Sequence, residues 1–161
     1  FRASLNSGKD IVSLEGECRH ITSYLQIQQV RYQDILTYDV DIPEEIANCK
    51  IPKITLQPLV ENALYHGIKN KRGKGRIVVT GRREKDKCVI RVEDNGIGMT
   101  KERLNQVRGG LTTKIEDSND FYGLYNVNER IRLKFGEEYG LSIDSVLQEG
   151  TCVEVWLPWE S

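Results

Sequence analysis

Asp94-Asn95-Gly96-Ile97-Gly98 is the stretch of this 161-residue sequence best suited to chemistry. Its carboxylate follows an apolar, strand-like run, and two glycines at alternate positions let the backbone approach a flat ligand closely. An ionised Asp accepts a hydrogen bond from the exocyclic amine of adenine, whereas guanine offers no donor at that place, so such a site selects ATP. Asp-x-Gly-x-Gly is also an ordinary turn and does not carry the reading alone. A second group is Glu61-Asn62, set among Leu56, Leu59, Val60 and Ala63 on a helical stretch. The Asn carbonyl oxygen is a hard ligand suited to Mg²⁺, which takes few protein ligands and completes its shell with phosphate oxygens and water; the adjacent Glu can polarise an attacking group. A third is Gly123-Leu124-Tyr125-Asn126-Val127, which opens a helix after a polar segment. Free backbone N–H groups and the positive helix end, with Arg130 nearby, suit phosphate oxygens. For the last two groups the plain alternatives are a solvated helix face and a simple helix cap.

The histidines are less informative. His66 stands one position before a helix-ending glycine, where a cation is favoured and a capping or packing role is expected, and His20 lies in a helix between Arg19 and Ile21. Neither has the acidic neighbour or exposed helical setting of a phosphate acceptor. Cys18, Cys49, Cys88 and Cys152 lack the short paired spacing of a zinc or redox motif, which leaves reduced, buried thiols.

The elements that must position these groups follow from periodicity. Ser13 caps a helix running to about Gln33, with Glu15 and Glu17 in its first turn and Leu14, Ile21, Leu25, Ile27 and Val30 at helical spacing. Residues 1–12 read as the frayed end of a preceding element. Leu36–Ile42 alternates as a strand that Pro43 stops. The segment after Pro52 reads as a second helix closed by Gly67. Arg76–Arg83 and Lys87–Glu93 form a hairpin that runs into Asp94. A short helix from Thr100 to Val107 precedes a polar, aperiodic flap from Arg108 to Tyr122. Leu124–Phe135 is helical through Val127, Ile131 and Leu133 and ends at Gly136, and strands Leu141–Leu147 and Thr151–Pro158 close the chain. The order predicts an α+β fold: a two-layer sandwich of a mixed, mostly antiparallel sheet with helices on one face.

Composition agrees with one soluble-type domain: 39% hydrophobic and 29% charged residues, and a formal net charge of -1 that offers no field for nucleic acid or an anionic membrane. No apolar run approaches the roughly 20 residues needed to span a bilayer, and no signal-peptide layout opens the chain. It begins without methionine, as a piece of a longer protein would.

Taken in order, Glu-Asn on a helix, Asp-x-Gly-x-Gly after a strand, a flap, Gly-Leu-x-Asn-Val, and Gly-Thr before a last strand resemble the GHKL (Bergerat-type) ATP-binding fold of histidine kinases, DNA gyrase, MutL proteins and heat-shock chaperone ATPases. Leu56-Gln57-Pro58-Leu59-Val60-Glu61-Asn62-Ala63-Leu64-Tyr65-His66-Gly67 is similar to the N box of the LytS and YesM type of sensor kinase. Tyr24-Leu25-Gln26-Ile27-Gln28 with Arg31-Tyr32 is similar to that type's upstream helix. The resemblance covers essentially the whole chain.

It implies a protein-histidine kinase domain with ATP and Mg²⁺ as cofactors. Asn62 would ligate Mg²⁺, with Glu61 as the neighbouring acidic, catalytic group and His66 of the same helix among the cofactor-binding residues. Asp94 would read the adenine amine, Gly96 and Gly98 would line the base pocket, and Thr151 would lie behind the adenine. Residues 108–122 would be the ATP lid, with Gly123, Leu124 and Asn126 as its hinge and phosphate-facing end; Lys69, Lys71 and Lys74 are further phosphate candidates. Residues 1–12 would be the remnant of an upstream dimerisation region and residues 13–161 the catalytic domain. The implied partners are a histidine-bearing dimerisation domain of the parent chain, a response regulator and, for the parent, a second copy; the implied setting is the cytoplasmic side of a bacterial membrane sensor. Two departures stand out. Phe121-Tyr122-Gly123-Leu124 replaces the family's Gly-x-Gly-Leu, and the Pro-His-Phe phosphoacceptor motif does not occur. A GHKL-type ATPase, an anti-sigma serine kinase and a nucleotide-binding module without turnover are the rival readings.

Overall fold

The computed structural model describes residues 10–33, 35–68, 73–113 and 122–159. The chain runs through β1 (Ile11–Ser13), α1 (Leu14–Arg31), β2 (Leu36–Asp41), a 3₁₀ turn (Glu44–Ile46), β3 (Lys50–Pro52), α2 (Leu56–Asn62) and a π-helical turn (Ala63–Ile68). It continues through β4 (Gly75–Glu84), β5 (Lys87–Asp94), α3 (Lys101–Gly110), α4 (Tyr122–Phe135), β6 (Gly140–Val146) and β7 (Gly150–Pro158). The main sheet has the order β2-β4-β5-β7-β6; β2 joins β4 in parallel and every other pair is antiparallel. Alternation in the strands decides which face is covered. Ile77 and Val79, Cys88, Ile90 and Val92, and Val153, Val155 and Leu157 turn toward the helices and are buried with them. This is the expected α+β sandwich with helices on one face.

The opposite face is kept polar by cross-strand pairs. Arg82 reaches Glu154 at 3.0 Å and Glu84 at 2.9 Å, and its guanidinium lies 5.6 Å from the centre of the Trp156 ring. Val89, opposite both Arg82 and Trp156 in the ladder, is fully buried beneath them. Among the described residues no helix is long and apolar enough to cross a membrane.

Several elements differ from the sequence reading. On α1 the buried stripe is Leu14, Cys18, Ile21 and Leu25, whereas Ile27 and Val30 are 67% and 72% exposed. Residues 14, 18, 21 and 25 recur at the 3.6-residue period, and 27 and 30 fall off it. Leu133 of α4 is likewise exposed. Ile11–Ser13 pairs antiparallel with Lys50–Pro52 in a small second sheet that the sequence did not announce. Consequently Pro52 lies in a strand, and α2 begins only at Leu56 because Ile54 takes a left-handed conformation, φ 59°. Gly67 sits inside the π-helical turn instead of closing an α-helix. Helix α3 extends to Gly110, with Thr100 as its cap accepting from the Arg103 N–H at 3.2 Å. Arg108, read as the start of the flap, is therefore helical and donates to the Ile143 carbonyl at 3.0 Å. Residues 114–121 of the flap lie outside the described residues.

Asn128 of α4 is buried and bonded at both ends of its amide. Its Nδ2 donates to the Leu111 carbonyl (2.8 Å) and its Oδ1 accepts from the Leu141 N–H (2.8 Å), so it ties α3 to β6. Asn128→Ala strands a buried donor and a buried acceptor. The expected cost is about 2 kcal/mol, a fall of roughly 4–8 °C in melting temperature by circular dichroism.

All four cysteines are free thiols. Burial, reinforced by the charge of Glu17, pushes the Cys18 thiol up from 9.0 to about 12. Burial also lifts Cys152 to about 11 against the pull of Arg91, and raises Cys88 further, with Cys49 beside it. These thiols ionise in the unfolded chain before they ionise in the folded one, so their contribution is complete below the unfolded value of 9.0 and fades above it. The urea midpoint should therefore fall between about pH 7.5 and about pH 10, and Cys18→Ala should flatten that dependence.

Candidate functional site

Strand β5 delivers Asp94 as its last residue, directly opposite Thr151 at the start of β7. The Asp94 side chain is 8% exposed, and its Oδ1 accepts the Gly96 N–H at 2.8 Å. Asn95 turns the chain back onto β4: its Oδ1 accepts from the Arg76 N–H (2.7 Å) and its own N–H donates to the Arg76 carbonyl (3.2 Å). The loop then passes so close to the β6–β7 turn that a side chain at Gly98, φ 65°, would stand 2.0 Å from the Val146 carbonyl oxygen. Gly150, φ 129°, has the same constraint on the other side, where a Cβ would lie 2.0 Å from the Asp94 carbonyl oxygen. Ser145 Oγ donates to the Gly150 carbonyl and lies 2.9 Å from Thr151 Oγ1, so the Thr151 hydroxyl is engaged by β6.

Across from this strand end, α2 and its π-helical turn present Asn62 and His66. Together with Asp94, Gly98, Leu124 and Thr151 they line one cleft whose walls are Leu59, Val92, Met99, Ile143 and other apolar residues. Apolar walls with a few convergent polar groups are the chemistry of a small-ligand site. The π-helical turn begins directly after Asn62. Such turns widen the helix and commonly mark sites of function.

Not every predicted residue is brought there. Gly96 is used through its N–H, which holds Asp94. Glu61 is half-buried outside the lining, near Tyr24; burial, then Tyr65 and the Glu61 charge, raise the Tyr24 phenol above its ordinary value. Gly123 lies beside Pro58, and Asn126 is exposed. Arg130, read as a phosphate candidate, is engaged elsewhere: its Nη1 and Nη2 donate to the carbonyls of Lys53 (2.9 Å) and Ile54 (2.8 Å). Lys74 is exposed, and Lys69 and Lys71 lie outside the described residues.

The sequence reading missed the anchoring of α2. Glu17, taken as a first-turn acid of α1, is 3% exposed and its carboxylate accepts the N–H groups of Ile54 (2.8 Å), Thr55 (3.1 Å) and Leu56 (3.2 Å). His20, one turn along α1, is hydrogen-bonded to Gln57. Glu17, His20, Ile21 and Tyr24 at i, i+3, i+4 and i+7 share one helix face, a spacing that could have flagged a polar contact with another element.

Residues 52–161 match the family described as histidine kinase-, DNA gyrase B-, and HSP90-like ATPase. The chain belongs to that family. It is 37% identical to the sensor histidine kinase YesM of Bacillus subtilis over 98% of its own length and 26% of that protein's. It is 32% identical to the sensor histidine kinase BtsS of Escherichia coli, covering 99% of this chain and 26% of that one. The sensor protein LytS of Staphylococcus saprophyticus is 34% identical across 100% of this chain and 27% of its own. The chain thus spans about a quarter of the length of these relatives. Among solved structures, the catalytic domain of the histidine kinase ThkA shares the fold with a TM-score of 0.67 at 10% identity, over 92% of this chain and 95% of that one. The mycobacterial sensor histidine kinase MprB does so with 0.61 at 16%, over 93% and 97%. The domain is therefore an ATP-binding domain of the kind found in sensor histidine kinases.

Because both the clash and the positive φ at Gly98 oppose any side chain, Gly98→Ala should cost at least about 2 kcal/mol. In an amide NMR spectrum it should shift the signals of Asp94 through Gly98 and of Val146, while those of α1 stay in place.

Proposed function

We propose that this domain binds Mg²⁺–ATP in the cleft between α2 and the end of β5 and presents the γ-phosphate to a histidine of its parent protein. The observation that carries the reading is the convergence of Asp94 and Asn62, from separate elements, on one apolar-walled cleft. The chain-length similarity to sensor histidine kinases favours this over an ATPase or a silent binder.

Asp94 is suited to accept from the adenine amine because it is buried, held by the Gly96 N–H and backed by Thr151. Gly98 and Met99 line the same cleft and would border the ring. Among the described residues no three His, Cys, Asp or Glu side chains gather as a metal site. A lone amide oxygen from Asn62 fits Mg²⁺, whose remaining ligands are phosphate oxygens and water. When bound, that ion neutralises charge on the phosphates during transfer. The neutral imidazole nitrogen of the acceptor forms the P–N bond as the bond from the γ-phosphorus to the ADP oxygen breaks. No proton need leave the nucleophile first, so Glu61 serves by orienting the ring. The main contribution of the domain is position. The end of the dimerisation region would fall within residues 1–12, of which Ile11 and Val12 already pair with β3 of this domain. A response regulator is the onward acceptor, and the cytoplasmic side of a membrane sensor is the setting.

The test is a single-turnover reaction with γ-labelled ATP, Mg²⁺ and the parent's histidine-bearing segment. Acid-labile label should appear on that segment. Asp94→Asn should weaken ATP binding by roughly tenfold to a hundredfold, as expected for a lost charge-assisted hydrogen bond, and narrow the preference over GTP. Asn62→Ala should remove the gain in affinity that Mg²⁺ confers. Release of free phosphate with no labelled protein would instead make the domain an ATPase.

A further inference from the structure

We infer that Glu17 and Arg130 are positioning residues for the nucleotide site: acting from opposite sides on the Lys53–Thr55 loop, they set the start of α2 and thereby the place of Asn62. The inference rests on the nucleotide-binding reading above for its functional consequence, though not for its geometry.

Helix α2 enters the core without a side-chain cap of its own. Thr55, at the N-cap position, is fully buried and in helical conformation, and its hydroxyl donates away from the helix, to the Pro52 carbonyl at 2.6 Å. The N–H groups of Thr55 and Leu56 are buried and that of Ile54 is partly buried; without partners they would carry a cost that natural helix ends avoid. One carboxylate from α1 meets all three: Glu17 Oε1 takes Ile54, and Oε2 takes Thr55 and Leu56. The same loop turns its carbonyls the other way, and there the Arg130 guanidinium takes those of Lys53 and Ile54. Ile54 is thus gripped through both its N–H and its C=O, and it is the residue held at φ 59°, a conformation that costs a β-branched side chain of order 1–2 kcal/mol.

Only a structure that over-determines the loop retains such a residue. From Leu56 to Asn62 the helix is a rigid rod of roughly 9 Å, so a change in its origin or tilt is delivered to Asn62. Arg130 stands on α4 two turns after Leu124, which lines the same cleft. The grip therefore refers the metal-side residue of the cleft to α1 and α4 together. Asp94 lies on β5 and takes no part in it.

Glu17→Gln, Glu17→Asp and Arg130→Lys separate positioning from plain stabilisation. Gln presents one NH₂ where three N–H donors converge, Asp keeps the charge on a shorter stem, and Lys cannot span two carbonyls. Two readouts are needed. The first uses no nucleotide: in amide NMR, Glu17→Gln and, to a smaller extent, Arg130→Lys should move the Asn62 side-chain amide signals and leave those of Gly96 and Gly98 in place. The second is competition binding of ATP with Mg²⁺ and with EDTA. Glu17→Gln should lose about tenfold in the Mg²⁺ measurement and less than about twofold in EDTA, with Glu17→Asp recovering part of the loss. Should Glu17→Gln fail to fold, Arg130→Lys, at an exposed position, decides between the same two outcomes. Unmoved Asn62 signals, or equal losses with and without Mg²⁺, would overturn the proposal and leave Glu17 a stabilising cap only. Wild-type protein that gains no affinity from Mg²⁺ would sink the nucleotide reading alone, because the Asn62 signals still judge the positioning.

Discussion

The start of α2 poses a severe demand: the backbone donors of Thr55 and Leu56 enter the core, after an Ile54 in left-handed conformation whose own N–H is partly buried, with no local side chain to receive them. A hydroxyl at the N-cap accepts a single N–H. A carboxylate has two oxygens with lone pairs enough for several donors, and its charge is favoured at the positive end of a helix. Glu17 is buried because it serves in that way, and α1 must then lie where Glu17 reaches the loop. The consequences spread along α1. His20 meets Gln57, Tyr24 lies by Tyr65 and Glu61, and the apolar stripe of Leu14, Ile21 and Leu25 closes the helix layer onto the sheet.

The other half of the cleft is set by close approach instead of charge. Backbone passes backbone at Gly98 and at Gly150, with no space for a Cβ at either point, and both residues take positive φ. The β6–β7 turn is thereby pressed against the Asp94–Gly98 loop, and the Gln148 N–H to Ile97 carbonyl bond at 2.6 Å fastens it. An Asp at the end of a strand is commonplace. Here it is enclosed on both sides by main chain that cannot retreat, so its carboxylate keeps one orientation. The two halves of the cleft are thus built differently, with a carboxylate capping the start of the helix that carries Asn62 and steric contact around Asp94.

This difference explains how far the sequence could be read. Strand alternation and turn residues announced β2, β4, β5, β6 and β7 to within a residue or two, because a half-covered sheet imposes its period directly on the chain. Asp94, Gly98 and Asn62 stood out because their types and order are unusual together, and Thr151 followed only from the family resemblance. What escaped were long-range polar contacts. Glu17 in a first helical turn has an adequate local explanation, and nothing nearby betrays that residues 54–56 lie against it. Asn128 escaped while the more prominent Asn126, two residues away, was chosen; only the packing of α4 shows that the former is buried and the latter exposed. The strand pair β1–β3 is three residues long on each side, too short for periodicity to register. Ile54 has a β-branched side chain, which argues against positive φ, so the late start of α2 was hidden as well.

Helix α4 connects these local solutions. Leu124 lines the cleft; Asn128, one turn on, holds the Leu111 carbonyl just before residues 114–121; and Arg130 holds the loop ahead of α2. The end of α3 is therefore bonded to α4, and the same helix grips the loop ahead of α2. Helix α4 thus meets α2 both by direct packing, with Gly123 beside Pro58, and through the Arg130 hydrogen bonds to Lys53 and Ile54 just ahead of it, whereas Asp94 is carried by β5 and enclosed by glycine contacts. The Asp94 side of the cleft is thus held by close main-chain contacts, and the Asn62 side by hydrogen bonds that reach the loop ahead of α2 from α1 and α4.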